Sequence, residues 1–187
     1  MILSNRAISC ALKKKKIKLS PLPEPHQFAP SALDLRVGDQ FFCWKKARGG
    51  SEISFNLSSF DIQECADFIE TVRPESDGRI KLNTGDFMLA KTLEYISLEY
   101  ACQIAARVEG RSSFARLGLQ VHMTAPTIHC GFSGTITLEL KNCGRHALMI
   151  TPNDTCICQL IFEKVSGKPV GPFNSKFFGQ TDPIGRQ

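Results

Sequence analysis

The chain has 187 residues, 42% of them hydrophobic and 22% charged, values of a globular protein long enough to bury its own core as one domain without disulfide staples. No apolar run reaches the roughly 18 residues that a membrane helix needs. Charge precedes any apolar run at the N-terminus, with no small-residue cleavage site, so a secretory leader is not expected and the cytoplasm is. Lys and Arg outnumber Asp and Glu by 23 to 18, a net charge of +5 that suits a polyanionic partner without naming it.

Ser4 is positioned to cap a helix over residues 5–15, with Ala7, Ile8, Ala11 and Leu12 at helical spacing. Lys13 to Lys16 with Lys18 has the look of a nucleic-acid run. It falls at the end of that helix, where cations offset the dipole, and is read as a solvated helix end. Pro21, Pro23, Pro25 and Pro30 force an extended connection. Residues 32–37 and then 41–44 read as two strands separated at Gly38-Asp39, and residues 45–50 as an exposed turn. Ile62, Cys65, Ala66 and Ile69 predict a short surface helix over 61–71. Beyond it, strands follow at short spacing: 87–94 after a turn at 83–86, 103–108, 135–140, and 156–162 after a turn at 152–154, with a hairpin around Gly131. This predicts a mainly β chain, a barrel or sandwich with a short N-terminal helix and one or two more short helices. Residues 167–187 hold three prolines, four glycines and Phe177-Phe178, too irregular for a core element, and read as an arm that orders on something.

Candidate chemistry is concentrated in residues 107–142. Gly110-Arg111-Ser112-Ser113-Phe114-Ala115-Arg116 supplies hydroxyls and guanidinium groups suited to phosphate oxygens. The same composition also fits a solvated turn before a short helix. In Thr135-Ile136-Thr137-Leu138-Glu139-Leu140, strand alternation sends Ile136, Leu138 and Leu140 to one face and Thr135, Thr137 and Glu139 to the other. A glutamate facing solvent satisfies that pattern as well as a catalytic one does. Eight cysteines in a reducing compartment are expected to be free thiols. Cys156-Ile157-Cys158, with both sulfurs expected on one strand face, and His129-Cys130 lack the usual zinc-ligand spacings.

The runs Gly110 to Leu119, Val121-His122-Met123-Thr124-Ala125, Gly131-Phe132-Ser133-Gly134 and Leu138-Glu139 closely resemble the dCTP deaminases of the trimeric dUTPase superfamily. The resemblance extends through residues 1–8, 31–38, 85–90 and 176–180 and is weakest over 45–80. It implies a single domain over 1–187 with the dUTPase-like distorted β-barrel, and a homotrimer with active sites between subunits. It also implies hydrolysis of dCTP to dUTP and ammonia, with Mg²⁺ carried on the triphosphate. Zinc deaminases carry His-x-Glu and Pro-Cys-x-x-Cys signatures, which are absent from this sequence, so the expected deamination is zinc-independent.

Residue by residue, the resemblance implies that Arg111, Ser112, Ser113 and Arg116 bind phosphate and that Glu139 is the general base. Ala125 would offer backbone groups near the base and the water, with His122 and Thr124 as neighbours. Thr137 and Leu138 would line the base and sugar pocket. The arm over 167–187 would close on bound nucleotide, bringing Phe173, Lys176 and Gln180 to it. This sequence departs from the family at three points. His129 stands where the family has an aspartate at the sugar, Phe173 where it has a tyrosine, and the loop between Asn174 and Lys176 is short. Other products therefore stay open: a dUTP diphosphatase, a bifunctional enzyme, or, from another class, a silent nucleotide-binding trimer. No nucleic-acid or membrane partner is expected.

Overall fold

The computed structural model describes residues 1–46, 53–170 and 175–186. Helix α1 (Asn5–Lys13) starts where expected, with the Ser4 hydroxyl accepting from Ala7 N at 3.3 Å. It ends two residues early, because Lys15 takes a positive φ of 56°. The strands in chain order are β1 (Ile17–Ser20), β2 (Phe28–Ala29), β3 (Ala32–Trp44), β4 (Ile69–Thr71), β5 (Ile80–Leu82), β6 (Phe87–Leu98), β7 (Ile104–Gly110), β8 (Leu119–Gln120), β9 (Thr127–Ile128), β10 (Ser133–Asn142), β11 (Leu148–Ile150) and β12 (Cys156–Lys164). A second short helix, α2 (Ser112–Ala115), lies between β7 and β8.

The principal sheet runs β8-β10-β6-β3-β12-β7-β9, with β1 added on β6 and β2 and β4 on β3, and β5 and β11 form a separate pair. It curls around a core that includes Leu33, Leu35, Phe41, Leu138, Leu140, Leu160 and Phe162, none more than 1% exposed. The chain is mainly β, as its alternating patterns require.

Local patterns mislead in four places. The two strands expected over 32–37 and 41–44 are one thirteen-residue strand, because the break at Gly38-Asp39 is absorbed as a register shift against β6 between Val37 and Phe41. The helix expected over 61–71 is a 3-10 segment, Ile62–Phe68, followed by β4. There Phe42 pairs with Thr71 and Val72 N donates to Phe41 O at 2.8 Å, so the edge of β3 captures the segment. Around Gly131 there is a turn but no hairpin: β9 pairs with β7 and β10 with β6. In Cys156-Ile157-Cys158 a register shift interrupts alternation. Ile157 and Cys158 are both fully buried, and burial pushes the Cys158 thiol pKa up.

A buried polar cluster ties β3 to β6. Glu94, with no exposed surface, accepts from Arg36 Nε and Arg36 N, both at 2.9 Å, and from Gln27 Nε2 at 3.1 Å. Residues 175–186 dock on β10. Gln180 forms a bridge with Gly134, its Nε2 donates to Thr135 O at 2.7 Å, and Gly179 N donates to Ser133 O at 2.7 Å. Gly134 has φ +150°, and a Cβ there would stand 3.0 Å from Gln180 Cγ, so the close approach depends on this glycine.

Two outcomes follow for stability. Glu94→Ala leaves Arg36 without its buried partner and is expected to cost about 3–5 kcal/mol, read as a lower denaturant midpoint. An unchanged midpoint means the cluster carries no stability. Gly134→Ala should loosen the docked arm, so that trypsin releases the peptide after Lys176 faster than from wild type; equal rates mean Gly134 does not hold the arm.

Candidate active site

The curl brings both ends of the sheet to one seam. The turn closed by Phe132 N donating to His129 O at 3.1 Å carries the chain from β9, at one edge, to β10, near the other. Along this seam lies a cavity of about 410 Å³. Its walls come from β6 (Leu89), β7 (Val108), β9 (Thr127, Ile128), β10 (Ile136, Thr137, Glu139), the loop before β9 (His122, Ala125), and the docked arm (Phe177, Gln180, Ile184).

The chemistry-bearing wall is set by an irregularity in β10. Its register against β6 shifts between Thr135 and Thr137. The Ile136 N–H, without a place in the ladder, donates to Thr92 Oγ1 at 3.0 Å, and Thr92 donates on to Glu94 O at 2.8 Å. The shift also puts Ile136 at the cavity beside Thr137 and Glu139, which strict alternation did not predict. Thr135 is buried beneath the arm, its amide donating to Gln180 O at 2.9 Å.

Glu139 is fixed from two sides. Its amide donates to Val121 O at 3.0 Å, and its Oε2 accepts from Met123 N at 2.6 Å. The loop over residues 121–125 therefore holds the Glu139 backbone through Val121 O and its carboxylate through Met123 N, the latter in a geometry typical of charge-assisted bonds. His122 lines the same cavity, and its Nδ1 is buried with no hydrogen-bond partner among the described residues, a position that calls for a ligand or water.

The expected residues divide into two groups. Glu139, Thr137, Ala125, His129 and Gln180 line the cavity. Leu138 does not present its side chain there: it is fully buried in the core, as alternation demands. Gln180 is only 6% exposed, and its amide is spent on Thr135 and Thr137, so it forms wall instead of reaching outward. Lys176 stands 3.1 Å from Asp61 and over the Phe177 ring at 5.4 Å. Phe173 lies outside the described residues.

Arg111, Ser112, Ser113 and Arg116 are not at the cavity of their own chain. They sit on and around α2, where Ser112, Ser113 and Arg116 are exposed. Arg111 Nη1 donates to Cys156 O at 2.9 Å, and Nη2 lies 3.2 Å from Asp34 Oδ2. Gly118 closes this segment with φ +96°, and a Cβ there would lie 2.2 Å from Gly144 N, which explains the glycine after the arginine-serine run. Among the described residues no Lys or Arg side chain lines the cavity. Nor do any three His, Cys, Asp or Glu side chains among them form a group that could hold a metal ion.

Sequence reading missed the apolar walls, Leu89, Val108, Ile62 and Ile184. They come from segments far apart in the chain, and each looks locally like an ordinary core residue.

The sequence model of the dCTP deaminase-like family matches residues 2–165. The chain is 35% identical over 187 residues to "dCTP deaminase, dUMP-forming" of Methanosphaera stadtmanae, covering 97% of this chain and 91% of the relative. It is 37% identical over 188 residues to a "dCTP deaminase" of Thermomicrobium roseum, covering 98% and 91%. Among solved structures, the 2'-deoxycytidine 5'-triphosphate deaminase of Agrobacterium tumefaciens has the same fold, with a TM-score of 0.63 at 20% identity, over 87% of this chain and 48% of that one. The curled sheet, the carboxylate on its seam and the match over nearly the whole chain make this protein a member of the dCTP deaminase-like family.

Proposed function

We propose that this chain hydrolyses dCTP to dUTP and ammonia in the deoxynucleotide metabolism of the cytoplasm, with Glu139 as general base. The observation that carries this is the Glu139 carboxylate, held at 2.6 Å by the Met123 N–H in a cavity of about 410 Å³, a volume typical of small-molecule sites. The deaminase names of relatives at 35% and 37% identity support the same reaction.

In this mechanism the water oxygen bonds to C4 of cytosine while Glu139 takes its proton and returns it to N3, saturating the C4–N3 bond. Glu139 then moves the hydroxyl proton to the amino group, the C4–N bond breaks, ammonia leaves, and the C4 carbonyl forms. Ala125 contributes backbone groups beside the base, Thr137 lines the sugar side, and His122 Nδ1 meets the ligand. The arm closes on the nucleotide and keeps bulk water out. Among the described residues the wall offers a single carboxylate, already bonded to Met123, which suits Mg²⁺ held by phosphate oxygens and its own waters instead of by the protein. Bound that way, the ion neutralises triphosphate charge.

A triphosphate needs cations that this cavity lacks among the described residues. We infer that a second copy supplies them: Arg111, Ser112, Ser113 and Arg116 of one subunit reach the Glu139 cavity of the next, in a homotrimer with shared sites. The dUMP-forming reading is favoured by the name of the Methanosphaera stadtmanae relative. His129 favours stopping at dUTP, since an imidazole has one acceptor when neutral and none when protonated, a poor substitute for the aspartate that trimeric dUTPases, similar to this chain around Gly131 to Gly134, place there to align water against the α-phosphate.

Given dCTP and Mg²⁺, the protein is expected to release ammonia and accumulate dUTP without dUMP or pyrophosphate. Glu139→Gln should lose about two to four orders of magnitude in rate while still binding dCTP. Turnover within about tenfold of wild type removes Glu139 from the chemistry, and pyrophosphate released as fast as ammonia selects the dUMP-forming reading.

Shared sites are checked by mixing. Arg116→Ala and Glu139→Gln proteins, each inactive, should recover activity when their subunits are exchanged, and a monomeric mass in solution would refute the trimer outright.

A further inference from the structure

Asp34 is a carboxylate only 7% exposed, on a strand the proposed chemistry does not use. β12 lies between β3 and β7, and Gln159 faces Asp34 directly across the β3–β12 ladder. Gln159 Nε2 donates to Asp34 Oδ1 at 2.8 Å. The other carboxylate oxygen, Oδ2, lies 3.2 Å from Arg111 Nη2. Arg111 follows Gly110, the last residue of β7, which pairs with Cys158 of β12. Its side chain therefore reaches across the intervening strand to β3.

The guanidinium is held on three sides. Nη2 meets Asp34, Nη1 donates to Cys156 O at 2.9 Å, and the group lies over the Phe114 ring at 5.4 Å from its centroid. Those bonds occupy two of the five N–H donors of an arginine and leave the planar fork in one orientation, its side chain still 33% exposed. The Arg111 carbonyl accepts from Phe114 N and Ala115 N, so the same residue begins the turn that carries Ser112, Ser113 and Arg116. A long side chain held in place loses less entropy on meeting phosphate.

We propose that Asp34, itself fixed by Gln159, is a positioning residue that aims Arg111 at the substrate's phosphates without touching substrate. This rests on the dCTP reading of the shared site. The proposal has a sign that a simple charge effect lacks. If Asp34 were only a negative charge near phosphate, its neutralisation would tighten anion binding by removing a repulsion. If it positions Arg111, neutralisation weakens binding, because the fork loses its orientation.

The test uses full-length protein in the Glu139→Gln background, so that nothing turns over, with Mg²⁺ and either dCTP or inorganic tripolyphosphate as probe. Adding Asp34→Asn is expected to raise both dissociation constants about tenfold, the usual worth of a hydrogen bond to a charged group. Binding of deoxycytidine, which has no phosphate, should not change. Arg111→Lys should give a comparable loss, and the double variant should lose no more than the larger single one, since both remove the same interaction. Should Asp34→Asn fail to fold, Gln159→Leu decides, with tripolyphosphate binding expected to weaken about threefold. Binding that is unchanged or tighter, losses that multiply in the double variant, or a wild type blind to tripolyphosphate would each overturn the proposal. Failure of wild type to release ammonia from dCTP would instead count against the deaminase reading, so the two failures are separable.

Discussion

The hydrogen bond from Ile136 N to Thr92 Oγ1 is the contact on which the cavity depends. A register shift inside a buried strand frees an amide, and an unpaired amide away from water costs about as much as a lost hydrogen bond. Thr92, fully buried on the neighbouring strand, accepts from that amide and donates its own hydroxyl hydrogen bond to Glu94 O. The irregularity is thereby stabilised, and it turns Ile136, Thr137 and Glu139 toward one space. The backbone of Glu94 thus supports the shift, and its carboxylate binds Arg36 and Gln27 on the other side. Core order and site geometry share the same residues of β6.

The electrostatics of the cavity are incomplete within one chain. It has a fixed carboxylate and two imidazoles, His122 and His129, and no guanidinium or ammonium among the described residues. Bringing a triphosphate beside Glu139 without cations would set like charges together in a partly desolvated space, at a cost of several kcal/mol. The excess of basic residues, +5 over the whole chain, is therefore informative only through its distribution. Arg111 and Arg116 flank α2 and do not line the cavity of their own chain. In the proposed trimer these cations of one copy would meet the seam of another.

Much of this was legible in the sequence because it was local. The alternation from Thr135 to Leu140 correctly sent Leu138 and Leu140 to the core and Glu139 to the polar side, and the Ser4 cap marked the start of α1. The resemblance added what periodicity could not, a reason to regard Glu139 as more than a surface residue. What stayed hidden depends on distant partners. No local signal says that Gly38-Asp39 is a shift and not a turn, because the deciding partner is β6, some fifty residues on. The segment at residues 69–71 has helical spacing, but the exposed edge of β3 outweighs that preference. A turn with two glycines around Gly131 suggests a hairpin, yet its flanking strands pair with β7 and β6. Cavity walls assembled from four strands, a loop and the arm leave no mark in any one stretch.

The arm has a second side that its composition did not reveal. The resemblance implies that Lys176 and Gln180 are candidate phosphate contacts. In this chain Gln180 bonds to the backbone of β10, and Lys176 pairs with Asp61. What the arm gives the cavity is shape: Phe177, Pro183 and Ile184 are apolar surfaces laid over the seam. Apolar cover excludes water, and with water excluded each fixed dipole and charge in the space acts more strongly. The Glu139 carboxylate, pinned by one backbone amide at 2.6 Å, sits in such surroundings, as the proposed proton transfers require. Gly134, which lets Gln180 come close enough to dock, thus holds the cover in place on the strand that also carries Glu139.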